Sequence, residues 1–256
     1  MAYFHRTGGS TFRATEHVGG AWALDEQHVA PALGLLAHVV EADRDARRDD
    51  GLVVARLSYD ILGTMPVGEV QTAVRVLRPG RTIELVEATL THAGRPAVVL
   101  RAWLMRPGDT AAMSASDLPR MPGPVELAAW DPSSVWSGGF IATVEIRREL
   151  EAPGRGRFWV RPSVPLLDDE PVSGLARAAG LLDLTNGMTV RADPRDVAFP
   201  NIDLTAHLFE APRGEWLGFD TTVSFGAGGL GLTSSTVHDA GGPVGTVAQV
   251  LTVRPR

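Results

Sequence analysis

Asp203, Ser224 and Gln249 lie in three strand-like segments of the last quarter of the chain, and their types suit the handling of water. A carboxylate takes a proton from water once partial burial lifts its pKa toward neutrality. A hydroxyl and an amide hold that water with neutral hydrogen bonds and add no charge. Such a set would serve hydrolysis of an activated acyl group, provided other donors face the developing oxyanion. Gly19-Gly20 are candidates for that part, because two adjacent glycines ahead of a predicted helix let backbone N–H groups approach a ligand with no Cβ in the way.

Strand period separates the three. Gln249 shares a face with Val247, Leu251 and Val253, so a polar amide stands on an apolar face and needs partners, whether water or a neighbouring backbone. Asp203 shares its face with Thr205, His207 and Phe209, a mixed face that equally suits a solvated carboxylate at a strand start. Thr222 lies on the face of Ser224 and rivals it as the hydroxyl. Asp203 and His207 share a face and form an alternative Asp–His pair. No His group has metal-ligand spacing with a carboxylate, so no metal is expected.

Whole-chain properties narrow the class. A chain of 256 residues with 44% hydrophobic and 21% charged residues can bury a large core. Its formal charge of −6 gives no electrostatic footprint for nucleic acid. With no cysteine, thiolate catalysis and disulfides are excluded, which suits a cytoplasmic setting. No apolar run is long enough for a membrane span. Gly226-Ala227-Gly228-Gly229 stands between two strands rather than before a helix and reads as a hairpin turn, not a phosphate cradle. Gly-x-Ser-x-Gly is absent, and with it the α/β-hydrolase nucleophile elbow.

The elements that must position these residues fall into two similar runs. A helix is predicted over 25–43, with Asp25 as N-cap, Pro31 in the first turn and the charged run 41–50 as a solvated end. Strands follow at 52–61, 69–77, 82–91 and 97–106, joined by short turns that favour antiparallel pairing. Residues 107–132, rich in Pro, Ser and Gly, read as a linker. Beyond it come a strand at 139–150, an extension at 158–160, and a helix over 171–186. On that helix Leu175, Ala178, Ala179 and Leu182 form an apolar stripe that Asp183 and Asn186 prolong with polar groups. Four more strands are predicted at 201–209, 216–225, 229–238 and 244–253. Short pairs recur in order between the halves: Gly68-Glu69 as Gly214-Glu215, Pro96 as Pro243, Arg106-Pro107 as Arg254-Pro255. An internal duplication follows, divided as residues 1–107, a linker at 108–135, and residues 136–256.

A long helix wrapped by a curved antiparallel sheet, present twice in one α+β chain, resembles the double hotdog proteins, and most of all the type II acyl-CoA thioesterase family. His17-Val18-Gly19-Gly20 before the first helix, Leu77-Arg78-Pro79-Gly80-Arg81, Ile202-Asp203, Glu215-Trp216-Leu217 and Gln249 carry the resemblance. It implies hydrolysis of a fatty or related acyl-CoA, or an acyl-carrier thioester, to the free acid by water activated through an Asp, a Thr and a Gln of the second unit. Carried onto this chain, those fall on Asp203, Ser224 and Gln249, with Ser in place of Thr, and on Asp183 or Asn186 for a polar helix group nearby. Gly19 and Gly20 would form the oxyanion environment. No cofactor is required. Open sheet edges lead us to expect a homo-oligomer. A hotdog enoyl-CoA hydratase or dehydratase using Asp203 and His207, and a non-catalytic acyl-ligand binding protein, are the alternatives.

Overall fold

The structure is a computed structural model and describes residues 1–20 and 22–256. One helix carries the core. α1 spans Val29–Arg47, and every residue from Ala30 to Val40 is buried, so it is enclosed on all sides for three turns, with His38 its one polar side chain there. A helix of that kind sits inside a protein, not on its surface.

β1 (Phe4–Arg6) and β2 (Thr11–Ala14) precede α1. After it come β3 (Val53–Ile61), β4 (Glu69–Arg78), β5 (Ile83–His92) and β6 (Arg95–Met105). β7 (Ala129–Trp130) and a helical turn, α2 (Gly139–Ala142), lead to β8 (Val144–Ala152) and β9 (Arg155–Pro162). Next are two short helices, α3 (Gly174–Ala179) and α4 (Leu184–Met188), and then β10 (Val197–Ala198). β11 (Asp203–Leu208), β12 (Leu217–Phe225), β13 (Leu230–Asp239), β14 (Gly242–Thr252) and β15 (Arg254–Pro255) complete the chain.

Thirteen strands join in one sheet in the order β1-β2-β4-β5-β6-β3-β11-β14-β13-β12-β9-β8-β7, antiparallel throughout. The order β4-β5-β6-β3 recurs reversed as β11-β14-β13-β12, so the same four-strand arrangement occurs twice. The inner edges of the two arrangements pair with each other: Asp203 faces Asp60 and His207 faces Arg56 along β11 and β3. One pair of edges expected to lie open is therefore closed within the chain. The outermost strands, β1 and β7, have three and two residues, short edges of the kind that discourage further pairing. Among the described residues no helix is long and apolar enough to cross a membrane.

Several expectations need correction. The first helix begins four residues later than predicted; His28, not Asp25, caps it, its Nδ1 accepting from Ala30 N at 3.2 Å. Its charged end is not wholly solvated. Arg47 and Arg48 reach across to Glu84 of β5, itself buried, at 2.8 and 2.7 Å, because a carboxylate taken out of water needs charged partners. Residues 139–142 turn as a helix before the strand starts at Val144.

The largest correction concerns the second half, where a single long helix was expected over 171–186. It is broken into α3 and α4 at Gly180–Asp183. The break comes where α1 and α3 cross closely. A Cβ on Gly34 would stand 2.9 Å from Ala176 O and 3.0 Å from Gly180 Cα, a separation only glycine permits. After that crossing the chain turns, and Asp183 stands buried in the turn between the two helices.

Candidate active site

The turn between α3 and α4 presents Asp183 as a buried carboxylate ringed by neutral groups. Its Oδ1 accepts from Asn201 Nδ2 at 2.7 Å and from Gln249 Nε2 at 3.1 Å. Its Oδ2 lies 3.7 Å from His28 Nδ1. Gln249, only 1% exposed, has both ends of its amide engaged, since its Oε1 accepts from the Thr185 hydroxyl at 2.7 Å. This pattern orients the amide: one end must donate to a carboxylate and the other must accept from a hydroxyl.

Among the described residues no cation offsets the buried charge. Burial pushes the Asp183 carboxyl up to about 6, against the opposing pull of the Asn201 and Gln249 hydrogen bonds. Burial also pushes the His28 imidazole down to about 4, so the nearest candidate cation is neutral at physiological pH. A carboxylate poised near neutrality, with neutral donors on one oxygen, has the properties of a general base. Asp183, Asn201, His28 and Asn186 line a cavity of about 130 Å³, whose walls include Trp22 and Trp136. Among the described residues no cluster of three His, Asp or Glu side chains forms a metal site.

The structure brings only part of the expected set together. Gln249 is on the core face with Val247 and Leu251, where strand period placed it. Asp203 is not beside it. Along β11, Leu204 and Ala206 face the core while Asp203, Thr205 and His207 alternate outward. The Asp203 carboxylate accepts from Val250 N at 2.6 Å, in the role of a strand-start cap. His207 is exposed, so the Asp203–His207 pair forms no enclosed site. Ser224 and Thr222 are both exposed on β12, while Thr221 and Val223, on its other face, are buried. The buried hydroxyl of that strand is Thr221, bonded to Ser235 at 2.8 Å.

Gly19 and Gly20 are likewise not free donors. Gly19 N–H donates to Glu16 O at 3.2 Å and Gly20 N–H to Glu26 O at 3.0 Å. What the glycines permit is backbone contact between the two halves. Gly20 has φ +101, and a Cβ there would lie 2.5 Å from Ser137 O.

Three members of the site escaped the sequence reading: Asn201, Thr185 and His28. Asn201 stands two residues before Asp203, so unbroken alternation puts both on the outer face. The ladder slips between them. Thr205 faces Ala248, which in regular register sets residue 202 opposite Leu251, yet it is Asn201 that bridges Leu251. That one-residue irregularity turns Asn201 to the core face while Asp203 stays outside. Asp183 did carry a signal, as the polar continuation of an apolar stripe.

Comparison with known proteins adds to this geometry. The model of the acyl-CoA thioesterase C-terminal domain matches residues 115–253, and that of the acyl-CoA thioesterase N-terminal domain matches residues 18–105. Among solved structures, a hot dog fold protein from Alicyclobacillus acidocaldarius aligns with TM-score 0.75 at 13% identity, over 97% of this chain and 95% of that one. The acyl-CoA thioesterase II TesB2 of Mycobacterium marinum aligns with TM-score 0.70 at 18% identity, over 99% and 96%. A tesB protein of Mycobacterium avium subs paratuberculosis gives 0.68 at 19%, over 98% and 96%. Likeness at these identities establishes the hot dog fold. No curated protein matches the chain.

Proposed function

The chain belongs to the acyl-CoA thioesterase family, and from that premise we propose that it hydrolyses an acyl-CoA thioester with Asp183, rather than Asp203, as the base that activates water. Membership makes it a thioester hydrolase. The recurrence of the four-strand order, the first set packed on α1 and the second on α4, supports reading the fold as two hot dog units in one chain.

The observation that carries the choice of base is the Asp183 carboxyl, buried, raised to about 6, and lining the cavity while Asn201 and Gln249 hold Oδ1. Water on Oδ2 gives up a proton as its oxygen attacks the thioester carbonyl carbon. Gln249 and Asn201 orient the carboxylate, and Thr185 locks the Gln249 amide through its oxygen. An aspartate, an amide and a hydroxyl, the types that the family resemblance implies, thus meet as Asp183, Gln249 and Thr185. Asp203 and Ser224 stay outside that group.

Thiol release from a series of acyl-CoA thioesters, short to long, tests the reading. Wild-type protein should free CoA, and Asp203→Asn and Ser224→Ala should keep close to the wild-type rate, since neither side chain faces the cavity. A large loss in Asp203→Asn would return the base to the outer strand face. The closeness of Asp183 to His28 also favours, as a second reading, an acid–base pair adding water to an enoyl-CoA. Loss of enoyl absorbance without thiol release would select it.

A further inference from the structure

Hydrolysis at Asp183 leaves one requirement unmet: a donor for the thioester oxygen as it gains negative charge. The backbone does little to supply it. Gly19 and Gly20 have spent their N–H groups on Glu16 and Glu26. At the start of α1, Ala30 N–H is taken by the His28 side chain and Pro31 has no N–H, so Val29 alone of the first three residues keeps a free one.

The geometry points to His28 as a catalytic residue that donates from Nε2 to the thioester carbonyl oxygen. This assignment rests on the hydrolase reading above. An imidazole Nδ1 has a single lone pair, and here it accepts from Ala30 N at 3.2 Å. The proton of the neutral ring is therefore on Nε2. That nitrogen has no hydrogen-bond partner among the described residues, and His28 lines the cavity with Asp183, Asn186 and Asn201. The Phe140 ring, 4.5 Å away between centroids, fixes the plane of the imidazole. His28 Nδ1 is 3.7 Å from Asp183 Oδ2, so the imidazole and the proposed base stand side by side on the cavity wall.

Neutrality matters as much as position. A helix start and a buried site both disfavour an imidazolium, and a neutral imidazole can still polarise a carbonyl. A charged ring beside Asp183 would lower the carboxyl pKa and weaken it as a base. In the step, the water oxygen bonds to the carbonyl carbon, its proton moves to Asp183 Oδ2, and the C=O electron pair shifts onto the oxygen held by Nε2–H. Collapse re-forms C=O and breaks the C–S bond, and the departing sulfur takes the proton from Asp183. His28 keeps its own proton throughout.

Two variants and one spectrum test this. In His28→Asn a shorter side chain can still cap α1 but no longer reaches the substrate oxygen. The expected result is a kcat lower by about 10²–10³-fold with KM little changed and the melting temperature close to wild type. His28→Gln, longer and able to donate, should recover part of the rate. In wild-type protein, ¹⁵N NMR of the His28 ring should show the Nε2–H tautomer with no titration between about pH 5 and 8. Wild-type turnover in a folded His28→Asn, or an Nδ1–H ring, overturns the role of His28 alone. A wild type that frees no CoA from any thioester overturns the hydrolase reading, and this assignment with it.

Discussion

Asp183→Asn should leave a protein that is nearly inactive and more heat-stable than the wild type. Asparagine keeps the volume and an oxygen that can accept from Asn201 and Gln249, so the surroundings stay paired. It cannot take a proton from water. Loss of a general base lowers turnover by about 10²–10⁴-fold. The gain in stability comes from the same burial that makes Asp183 a base. Its carboxyl stands at about 6 in the folded protein against 3.8 for the free group. A raised pKa means that the folded state holds the proton more tightly than the unfolded one. The stabilisation is complete below about pH 4 and is lost as pH rises through about 6. At pH 7 to 8 the wild type therefore bears the full cost of a buried ionised carboxylate, which a shift of about two units sets at about 3 kcal/mol. Removing it should raise the melting temperature by several degrees at pH 8 and hardly at all at pH 4. Calorimetry at both pH values beside thiol-release assays checks the two halves together. An inactive variant with unchanged or lower stability at pH 8 would mean that Asp183 ionisation does not strain the fold.

Gln249→Leu should move the pH dependence of the reaction and not merely its size. For the wild type, kcat/KM should be flat above about pH 7 and fall about tenfold per unit below about 6, as Asp183 takes up its proton. Gln249 opposes that protonation by donating to Oδ1 at 3.1 Å. A hydrogen bond to a charged group is worth about 1.5–3 kcal/mol, so its loss should lift the acid limb by about one unit or more. Leucine suits the site sterically, between Val247 and Leu251 on the core face. Asn201 still serves Asp183, and the Thr185 hydroxyl keeps Leu182 O at 3.3 Å. The variant should fold, match the wild type most nearly at high pH, and fall furthest behind near pH 6. A profile lowered evenly at all pH values, with its acid limb unmoved, would assign Gln249 to substrate contact instead of base tuning.

Both variants make plain which part of the site local patterning reveals. Alternation over a few residues is a property of the chain itself, and it put Gln249 on the core face and Asp203 on a mixed one. The paired strands, their turns and the recurring order of the two halves were legible for the same reason: turn chemistry and period act over neighbours in sequence. Gly34, which sets how closely α1 and α3 cross, gave no such sign, since close helix approach is a relation between segments far apart.

Family resemblance pointed to an aspartate, a hydroxyl and a glutamine, and the sequence alone supplied residues of each type in the right half. Only the tertiary structure decided which of them meet. A break after α3 turns Asp183 inward, a one-residue slip beside β11 turns Asn201 to the core face, and Thr185 and His28 arrive from α4 and the start of α1. Asp203 differs from Asn201 by two positions and from the site by one strand face. Side-chain identity is written residue by residue, but the face that a residue presents depends on register, and register is set by pairing with strands far along the chain.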